Sequence, residues 1–376
     1  MSRLTVLHVA PHLGQGGAER LLFELARQRC GETVHHIALM QDEVFFPRAE
    51  VKIHDLGLNL GRRWQALRRL PASRQRLRAL VDELKPDLIQ GWLYYGALLT
   101  LMVPRQIPRI WSIHNSTFPD LRANPLLHLV DRLLARTSRR AQAIVYCAHA
   151  ARILHEQHGY APEPGLVIEN GVDTGLFRAN PERRQRTRAG LGLDDLACAV
   201  LLSARNDPQK DIANCLAAFA LFRQRRPQAV LLLAGRGMEA GHPELESLVA
   251  HHGLGDAVRP LGPIRDMAAL IDAADAVMLG SRYGEAMPLV LLEALVMQKP
   301  VAATDVGDVA QLPCPRAALA PPANSAALAD ALSFAVMRDP IWEACFTQAR
   351  GRYGIDAMLQ AHARLYRRLV VGVGVQ

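Results

Sequence analysis

Short apolar runs alternate with longer segments whose apolar residues recur at helical spacing, along the whole chain. Residues 4–9 form an apolar run that reads as a buried parallel strand, and 18–29 place Leu21, Leu22, Leu25 and Ala26 on one helical face. The same reading predicts strands over 37–40 and 51–56, and a helix over 74–84 that ends before Pro86. A strand starts at 87–90 and another covers 109–113. A helix over 126–140 and a strand over 143–147 follow. This β-α-β alternation predicts a doubly wound parallel sheet, an α/β fold.

The pattern then restarts. A short strand over 166–168 leads into the turn-rich Glu169-Asn170-Gly171-Val172-Asp173 and a polar stretch, 178–188, with five arginines. A second series follows: strand 199–204, helix 212–225, strand 229–234, helix 267–273, strand 276–279, helix 289–297 and strand 301–303. The 376 residues suit two domains. The expected division is 1–172 and 173–355, both Rossmann-like. Two such domains in tandem would face each other across a cleft at the C-terminal ends of their sheets, where α/β proteins bind ligands.

Composition narrows the class. Hydrophobic residues make up 50% and charged residues 21%, which excludes a disordered chain. No stretch reaches 18 apolar residues, so no membrane span is expected, and the run before Pro11 is too short for a signal segment. Cys30, Cys147, Cys198, Cys215, Cys314 and Cys345 form no CxxC and no zinc-ligand spacing with histidine. They fit reduced thiols in a cytoplasmic protein with no metal.

The net charge is +8, and it is uneven: 22 basic against 15 acidic side chains in residues 1–172, and 22 against 21 in 173–376. A basic first half suits an anionic surface or substrate. Residues 61–78 concentrate seven arginines with Trp64 and Leu67. That segment reads either as a basic amphipathic stretch lying on the inner face of an anionic cell membrane or as a solvated helix face interrupted by Pro71. No recognition motif for nucleic acid appears, and aromatic residues are only 5%, so no nucleic-acid partner is expected.

Several motifs carry candidate chemistry. Gly14-Gln15-Gly16-Gly17-Ala18-Glu19 follows the first strand and opens the first helix. Glycines there let the backbone approach a phosphate at a helix N-terminus, or simply make a tight turn. It is neither GxGxxG nor a P-loop. Gly235-Arg236-Gly237 reads as a plain turn, because its next glycine, Gly241, comes one residue late for a dinucleotide site. Arg205 and Lys210 lie in the loop after the strand that opens the second half. They are either solvated surface charges or a grip for a diphosphate. His114 follows the strand 109–113; a lone histidine is usually structural, but one at a strand's C-terminal end is a better than average candidate for a site.

The stretch 285–293 is the most informative. Pro288 suits the first turn of a helix, whose free N–H groups near Leu289 and Val290 would meet a phosphate. Glu285 just before that helix and Glu293 one turn in would accept hydroxyls of a ribose or hexose. Glu293 lies among Leu291, Leu292, Ala294 and Leu295, where an unpaired carboxylate is costly.

Taken in order, Gly14 to Arg20, His114, Asn170 to Asp173, Arg205 to Lys210, and Glu285 to Glu293 followed by Pro300 to Gly307 resemble a retaining glycosyltransferase of family 4 with the GT-B fold. The resemblance covers about residues 5–310. It implies a nucleotide-diphosphate-sugar donor and no cofactor. Arg205, Lys210 and the N–H groups near Leu289 and Val290 would bind the diphosphate, Glu293 the ribose, and Glu285 the donor sugar. Met287 would line the donor site, Gly16 and Gly17 would close over the diphosphate or the acceptor, and His114 would contact the donor sugar near the reacting carbon. The resemblance further implies that a last helix, within 356–376, packs back on the first domain. Ala286 and Met287 stand where many members have a glycine and an aromatic residue, and 308–313 lacks a common Gly-Gly pair. Both departures bear on donor identity.

The function expected is transfer of a sugar to a lipid-linked or oligosaccharide acceptor in bacterial surface-glycan synthesis. A nucleotide-sugar epimerase of the same fold and a non-catalytic nucleotide-binding protein are the alternatives.

Overall fold

The structure is a computed structural model that describes residues 3–27, 33–58, 63–118, 122, 124–194, 196–337 and 339–373. Cys30, Gly61, Arg62 and the side chains of 63–67 lie outside the described residues. The chain divides into two compact units, Met1–Gly171 with Asp356–Gln376, and Val172–Ile355.

The first unit runs β1 (Leu4–Ala10), α1 (Gly17–Arg27), β2 (Thr33–Leu39), β3 (Lys52–Asp55), α2 (Arg63–Leu84), β4 (Leu88–Trp92), α3 (Leu93–Thr100), β5 (Arg109–Ile113), α4 (Pro125–Thr137), β6 (Ala143–Tyr146), α5 (His149–Gln157) and β7 (Gly165–Val167). Its seven strands pair in the order β3-β2-β1-β4-β5-β6-β7, all parallel. The central strands are apolar on both faces because helices cover both faces of a parallel sheet, and Val6, Leu7, Val9, Ile37, Ile89 and Ile110 are fully buried.

The second unit runs α6 (Pro181–Gly190), β8 (Cys198–Ser203), α7 (Ile212–Arg225), β9 (Ala229–Ala234), α8 (Pro243–His251), β10 (Val258–Gly262), α9 (Met267–Ala273), β11 (Ala276–Leu279), α10 (Leu289–Val296), β12 (Val301–Thr304), β13 (Leu319–Ala320), α11 (Ser325–Ala335) and α12 (Ile341–Tyr353). Its six strands pair in the order β10-β9-β8-β11-β12-β13, again all parallel. Where the chain enters this unit at Val172 and leaves it at Ile355, the two segments pair: Val172 N–H donates to Tyr353 O and Ile355 N–H to Val172 O, each at 2.8 Å.

A last helix, α13 (Ile355–Val373), returns to the first unit. Its Tyr366 hydroxyl donates to Gln90 Oε1 on β4 at 2.5 Å, and Gln90 Nε2 donates to Ser112 Oγ on β5 at 2.6 Å, all buried.

Helix α2, the stretch 178–188 and helix α3 depart from the sequence pattern, which also left α5, α8, β10, β13, α11 and α12 unassigned. Helix α2 starts at Arg63 and continues through Pro71 rather than breaking there. Ser73, Leu77, Leu80 and Val81 bury one face of its C-terminal half, and that packing outweighs the hydrogen bond lost at proline. Arg68, Arg69, Arg74, Arg76 and Arg78 lie on its exposed side. The arginine-rich stretch 178–188 is also largely a helix, α6, and Arg183, Arg184 and Arg188 are paired. Arg184 donates to the carbonyls of Asp272, Ala273 and Ala274 at 2.6, 3.1 and 2.7 Å, capping the C-terminus of α9. Finally, α3 lies in a stretch the pattern left unassigned. It packs on β1, β4 and β5, and its run Leu-Tyr-Tyr-Gly-Ala-Leu-Leu-Thr carries no polar period to reveal it.

In both sheets the strand order reverses once, between β1 and β4 in the first unit and between β8 and β11 in the second. Loops leaving the carboxyl ends of strands beside such a reversal are where open α/β sheets bind ligands.

Candidate active site

The two loops at the reversal of the second sheet hold most of the predicted site. The loop after β8 carries Arg205 and Lys210, and the loop after β11 carries Ser281 and Glu285. Because β8 and β11 are neighbours, residues 75 positions apart meet: Lys210 Nζ forms an ion pair with Glu285 Oε1. The Ser281 hydroxyl donates to the same oxygen at 2.5 Å. Oε1 is thereby occupied twice, which leaves Oε2 to accept from a ligand. Both ion-pair partners are largely buried, and a charge in such a place is held only when paired and hydrogen-bonded.

The surrounding backbone fixes this pair. Gln209 Nε2 donates to Gly284 O at 2.9 Å, and Arg282 N–H to Gln209 O at 2.8 Å, tying the two loops together. The Thr304 hydroxyl at the end of β12 donates to Ser281 O at 2.6 Å. Asp308 N–H donates to Ala286 O at 3.1 Å. Gly307 has φ +66°, and a Cβ there would run into the Glu285 carbonyl, so this approach needs glycine.

Helix α10 opens immediately after Pro288, which has extended dihedrals. The first intrahelical acceptor is Pro288 O, reached by Leu291 N–H at 3.2 Å. The N–H groups of Leu289 and Val290 therefore lie outside the helical ladder and form the positive end of the helix. Met287 and Glu293 are buried beside it, at 5% and 3% exposure. Arg205 differs from Lys210: its side chain is 61% exposed and pairs with Asp207 at 3.1 Å. The two cations are thus one fixed and one reaching from the surface. Cys215, packed beneath this loop, is inert because burial pushes its thiol up to about 12.

The remaining predicted residues belong to the first unit. Gly16 sits in the turn after β1 and Gly17 is the first residue of α1; Arg20 N–H closes the turn onto Gly16 O at 3.0 Å. His114 follows β5. Both of its ring nitrogens are enclosed and have no hydrogen-bond partner among the described residues. Its ring stacks on Trp92, centroids 5.0 Å apart and planes 7° from parallel. Burial, aided by nearby His362, lowers its pKa to about 3, so the imidazole is neutral at physiological pH.

Ser281, Thr304, Gln209 and Trp92 were not singled out from sequence. A small hydroxyl residue two positions past a strand at a sheet reversal was the available signal for Ser281. Trp92 had none, because its partner lies 22 positions away. Among the described residues no three metal-ligating side chains cluster, and no helix is long and apolar enough to cross a membrane.

A family profile described as Glycosyl transferases group 1 matches residues 198–337, which takes in both loops of the Lys210–Glu285 pair. A second, described as Glycosyltransferase Family 4, matches residues 15–176, which include Gly16, Gly17 and His114. The chain belongs to glycosyltransferase family 4. Among curated relatives, a D-inositol 3-phosphate glycosyltransferase of Thermobispora bispora is 32% identical over 191 residues, 48% of this chain and 42% of that one. The chain thus spans well under two thirds of that relative's length. An alpha-D-kanosaminyltransferase of Streptomyces kanamyceticus is 26% identical over 278 residues, 70% of this chain and 71% of that one. Among solved structures, Anabaena HepE in complex with UDP superposes with a TM-score of 0.80 at 21% identity, covering 97% of this chain and 100% of that one. The family 4 chain therefore has the GT-B fold, built from two Rossmann-like units.

Proposed function

We propose that this chain is a retaining glycosyltransferase that moves a sugar from a nucleotide-diphosphate-sugar to a lipid-linked or oligosaccharide acceptor in bacterial surface-glycan synthesis. The observation that carries the reading is the buried Lys210–Glu285–Ser281 cluster beside the free N-terminus of α10. It joins a fixed cation, a carboxylate with one oxygen left to accept, and aligned backbone donors, which together suit a phosphate linked to a polyol.

In this reading Lys210, Arg205 and the N–H groups of Leu289 and Val290 offset charge on the leaving diphosphate. Glu285 Oε2 accepts a donor-sugar hydroxyl, Glu293 holds the ribose, and Met287 lines the donor site. Charge developing on the leaving group is the main demand of the reaction, and preorganised donors meet it without a cofactor. The acceptor hydroxyl attacks the anomeric carbon from the face the diphosphate leaves. The diphosphate oxygen takes the hydroxyl proton, so configuration is kept and no carboxylate nucleophile is required. His114 is assigned to an uncharged hydroxyl of the donor sugar, because a neutral imidazole has one N–H to give and one lone pair to receive. Gly16 and Gly17 are assigned to the diphosphate or the acceptor.

A uridine nucleotide is the first to test, since the solved relative HepE was captured with UDP and with UDP-glucose. The basic surface of the first unit, with the exposed arginines of α2, supports an anionic membrane as the place of the acceptor and a cytoplasmic, peripheral location. Calorimetric titration with UDP, GDP and ADP should show one nucleotide binding tightly, and Arg205→Ala should weaken it. Acceptor-dependent release of that nucleotide, with the product's anomeric configuration read by NMR, then tests transfer. A chain that binds none of the three, or that releases no nucleotide with any acceptor glycan, is not this enzyme.

A further inference from the structure

His114 is gripped from two sides by a single strand-to-helix junction. Strand β4 ends at Trp92 and α3 begins at Leu93 with no residue between them. The junction is made by Leu93 itself, at φ +57°, a left-handed conformation that a leucine rarely adopts. Room is equally tight: a Cβ on Gly91 would lie 2.6 Å from Ala97 Cα, so the first turn of α3 sits directly against the strand. Backbone held in a sparsely populated conformation by dense packing marks places where side-chain direction matters.

The left-handed residue sends its two aromatic neighbours to different tasks. The Trp92 ring lies flat on His114. Its indole N–H donates to His8 Nδ1 at 3.1 Å. Since the indole is only a donor, His8 carries its proton on Nε2, and that N–H donates to His35 Nδ1 at 2.9 Å. Trp92 is therefore anchored at its polar edge by an ordered pair of neutral histidines, and it is 2% exposed.

Tyr94 secures the residue after His114. Asn115 Nδ2 donates to the Tyr94 hydroxyl at 2.9 Å, and to Thr117 O at 2.6 Å. The hydroxyl in turn donates to His155 Nε2 at 2.9 Å, because His155 commits its Nδ1–H to Ala151 O at 2.7 Å. The whole relay is directional and ends on the backbone of α5.

We propose that Trp92 and Tyr94, set apart by the left-handed Leu93, are positioning residues for His114: one fixes the plane of the imidazole and the other fixes the chain that carries it. Neither needs to touch substrate. The inference rests on the assignment of His114 to the donor sugar made above. The neutral state of the ring, with neither nitrogen partnered among the described residues, supports it: an imidazole without such a hydrogen bond has packing to set its angle.

The test uses the full chain and its donor. Trp92→Leu should lower kcat roughly 10- to 100-fold with nucleotide affinity unchanged, the scale expected for a misplaced reacting group. Trp92→Phe keeps a flat ring and should recover most of that loss. Tyr94→Phe should lower kcat about 10-fold with KM for the donor little changed. In a His114→Ala background, Trp92→Leu should add less than about a 2-fold further loss, since residues that act through one another are not additive. Full additivity there overturns the inference, because it means that Trp92 acts by another route. So does an unaltered kcat in His114→Ala, which leaves the transferase reading standing. If the wild type transfers no sugar, that reading fails by itself, and 15N histidine spectra of the unbound protein decide the clamp. The His114 ring signals, identified by their absence from His114→Ala, should relax as a rigid ring in wild type and Trp92→Phe and gain motion in Trp92→Leu; unchanged relaxation in Trp92→Leu overturns the clamp.

Discussion

In the first unit the buried titratable groups are mostly histidines, beside Asp131, Arg109 and Glu24: His8, His35, His155 and His362 are interior, His114 is enclosed at its nitrogens, and they meet other histidines, tyrosines, a tryptophan or backbone. In the second unit they are ion pairs: Lys210 with Glu285, Arg183 with Asp272, and both Arg184 and Arg188 with Asp275. The difference is one of electrostatic state. A neutral imidazole can be buried with one or two ordinary hydrogen bonds, whereas a buried guanidinium or carboxylate must bring its counter-charge with it. Under the proposed function, the fixed charges of the second unit suit a diphosphate and the mostly uncharged interior groups of the first suit sugar hydroxyls.

Acid should split the two units most widely. Burial lowers His35, His155 and His362 to about 4 and His114 to about 3. Folding holds these rings neutral, while the unfolded chain takes up protons near pH 6.5. Below that pH the unfolded state binds more protons, so stability rises with pH. The contribution is intact above pH 6.5 and lost as pH falls toward 4. Between pH 7 and pH 5 each such histidine removes about 2 kcal/mol, and a few together rival the stability of an ordinary domain. In a Trp342→Phe background, where Trp92 and Trp111 report on the first unit, the thermal transition should fall steeply over this range. Hydrogen exchange of peptides in 198–335 should change far less. Equal acid sensitivity of the two units would erase the comparison.

Charge removal probes the other side. Lys210→Ala should cost roughly 10²- to 10³-fold in kcat, the effect of deleting a preorganised donor to a leaving group. It should exceed the loss in His114→Ala, where only a neutral hydrogen bond goes. If His114→Ala proves the more damaging, the division of labour between the units is reversed.

Arg188 tests whether the second unit's pairs hold its fold as well as its ligand. It is 6% exposed and donates to Ala273 O, Asp194 O and Ala197 O at 3.0, 2.6 and 2.8 Å. Arg188→Met strands the Ala197 carbonyl, takes one donor each from Ala273 O and Asp194 O, and removes a buried charge from Asp275, so it should lower stability by about 3 kcal/mol. A urea titration read by exchange of peptides in 198–279 measures it, and a loss under about 1 kcal/mol would mean that water replaces the guanidinium.

Much of this was legible in the order of apolar and polar residues. The strands β1, β5, β8, β9 and β11 and the helices α7, α9 and α10 fall where the pattern placed them, because each is a plain buried run or a long amphipathic segment. The pattern also left α5, α8, β10, α11 and α12 unassigned, and two of its other misses have a physical cause. Helix α3 is apolar all round, and β13 is two residues long. The motif residues were readable singly, but not their company. The ion pair of Lys210 with Glu285 exists only because β8 and β11 are neighbours across a crossover, and the chain of His8, His35 and Trp92 joins three strands. Sequence spacing reports what one element does, whereas these clusters are products of strand order.

The smallest expected effect concerns the return of α13. Tyr366 reaches Gln90 across 276 residues of chain, and Gln90 passes the hydrogen bond to Ser112. Tyr366→Phe keeps the ring, which packs against His35 and His362, and removes only the hydroxyl. Gln90 Oε1 then stays buried without its donor, a cost of about 1–3 kcal/mol. The loss should appear in the first unit alone, as a lower thermal transition there and faster exchange in α13, with the second unit unmoved. If exchange in α13 stays at the wild-type rate, apolar contacts such as Met358, Leu359 and Leu365, not the polar relay, hold the helix. The first unit would then owe its acid sensitivity to buried histidines but not its cohesion to the hydrogen bonds among its polar groups.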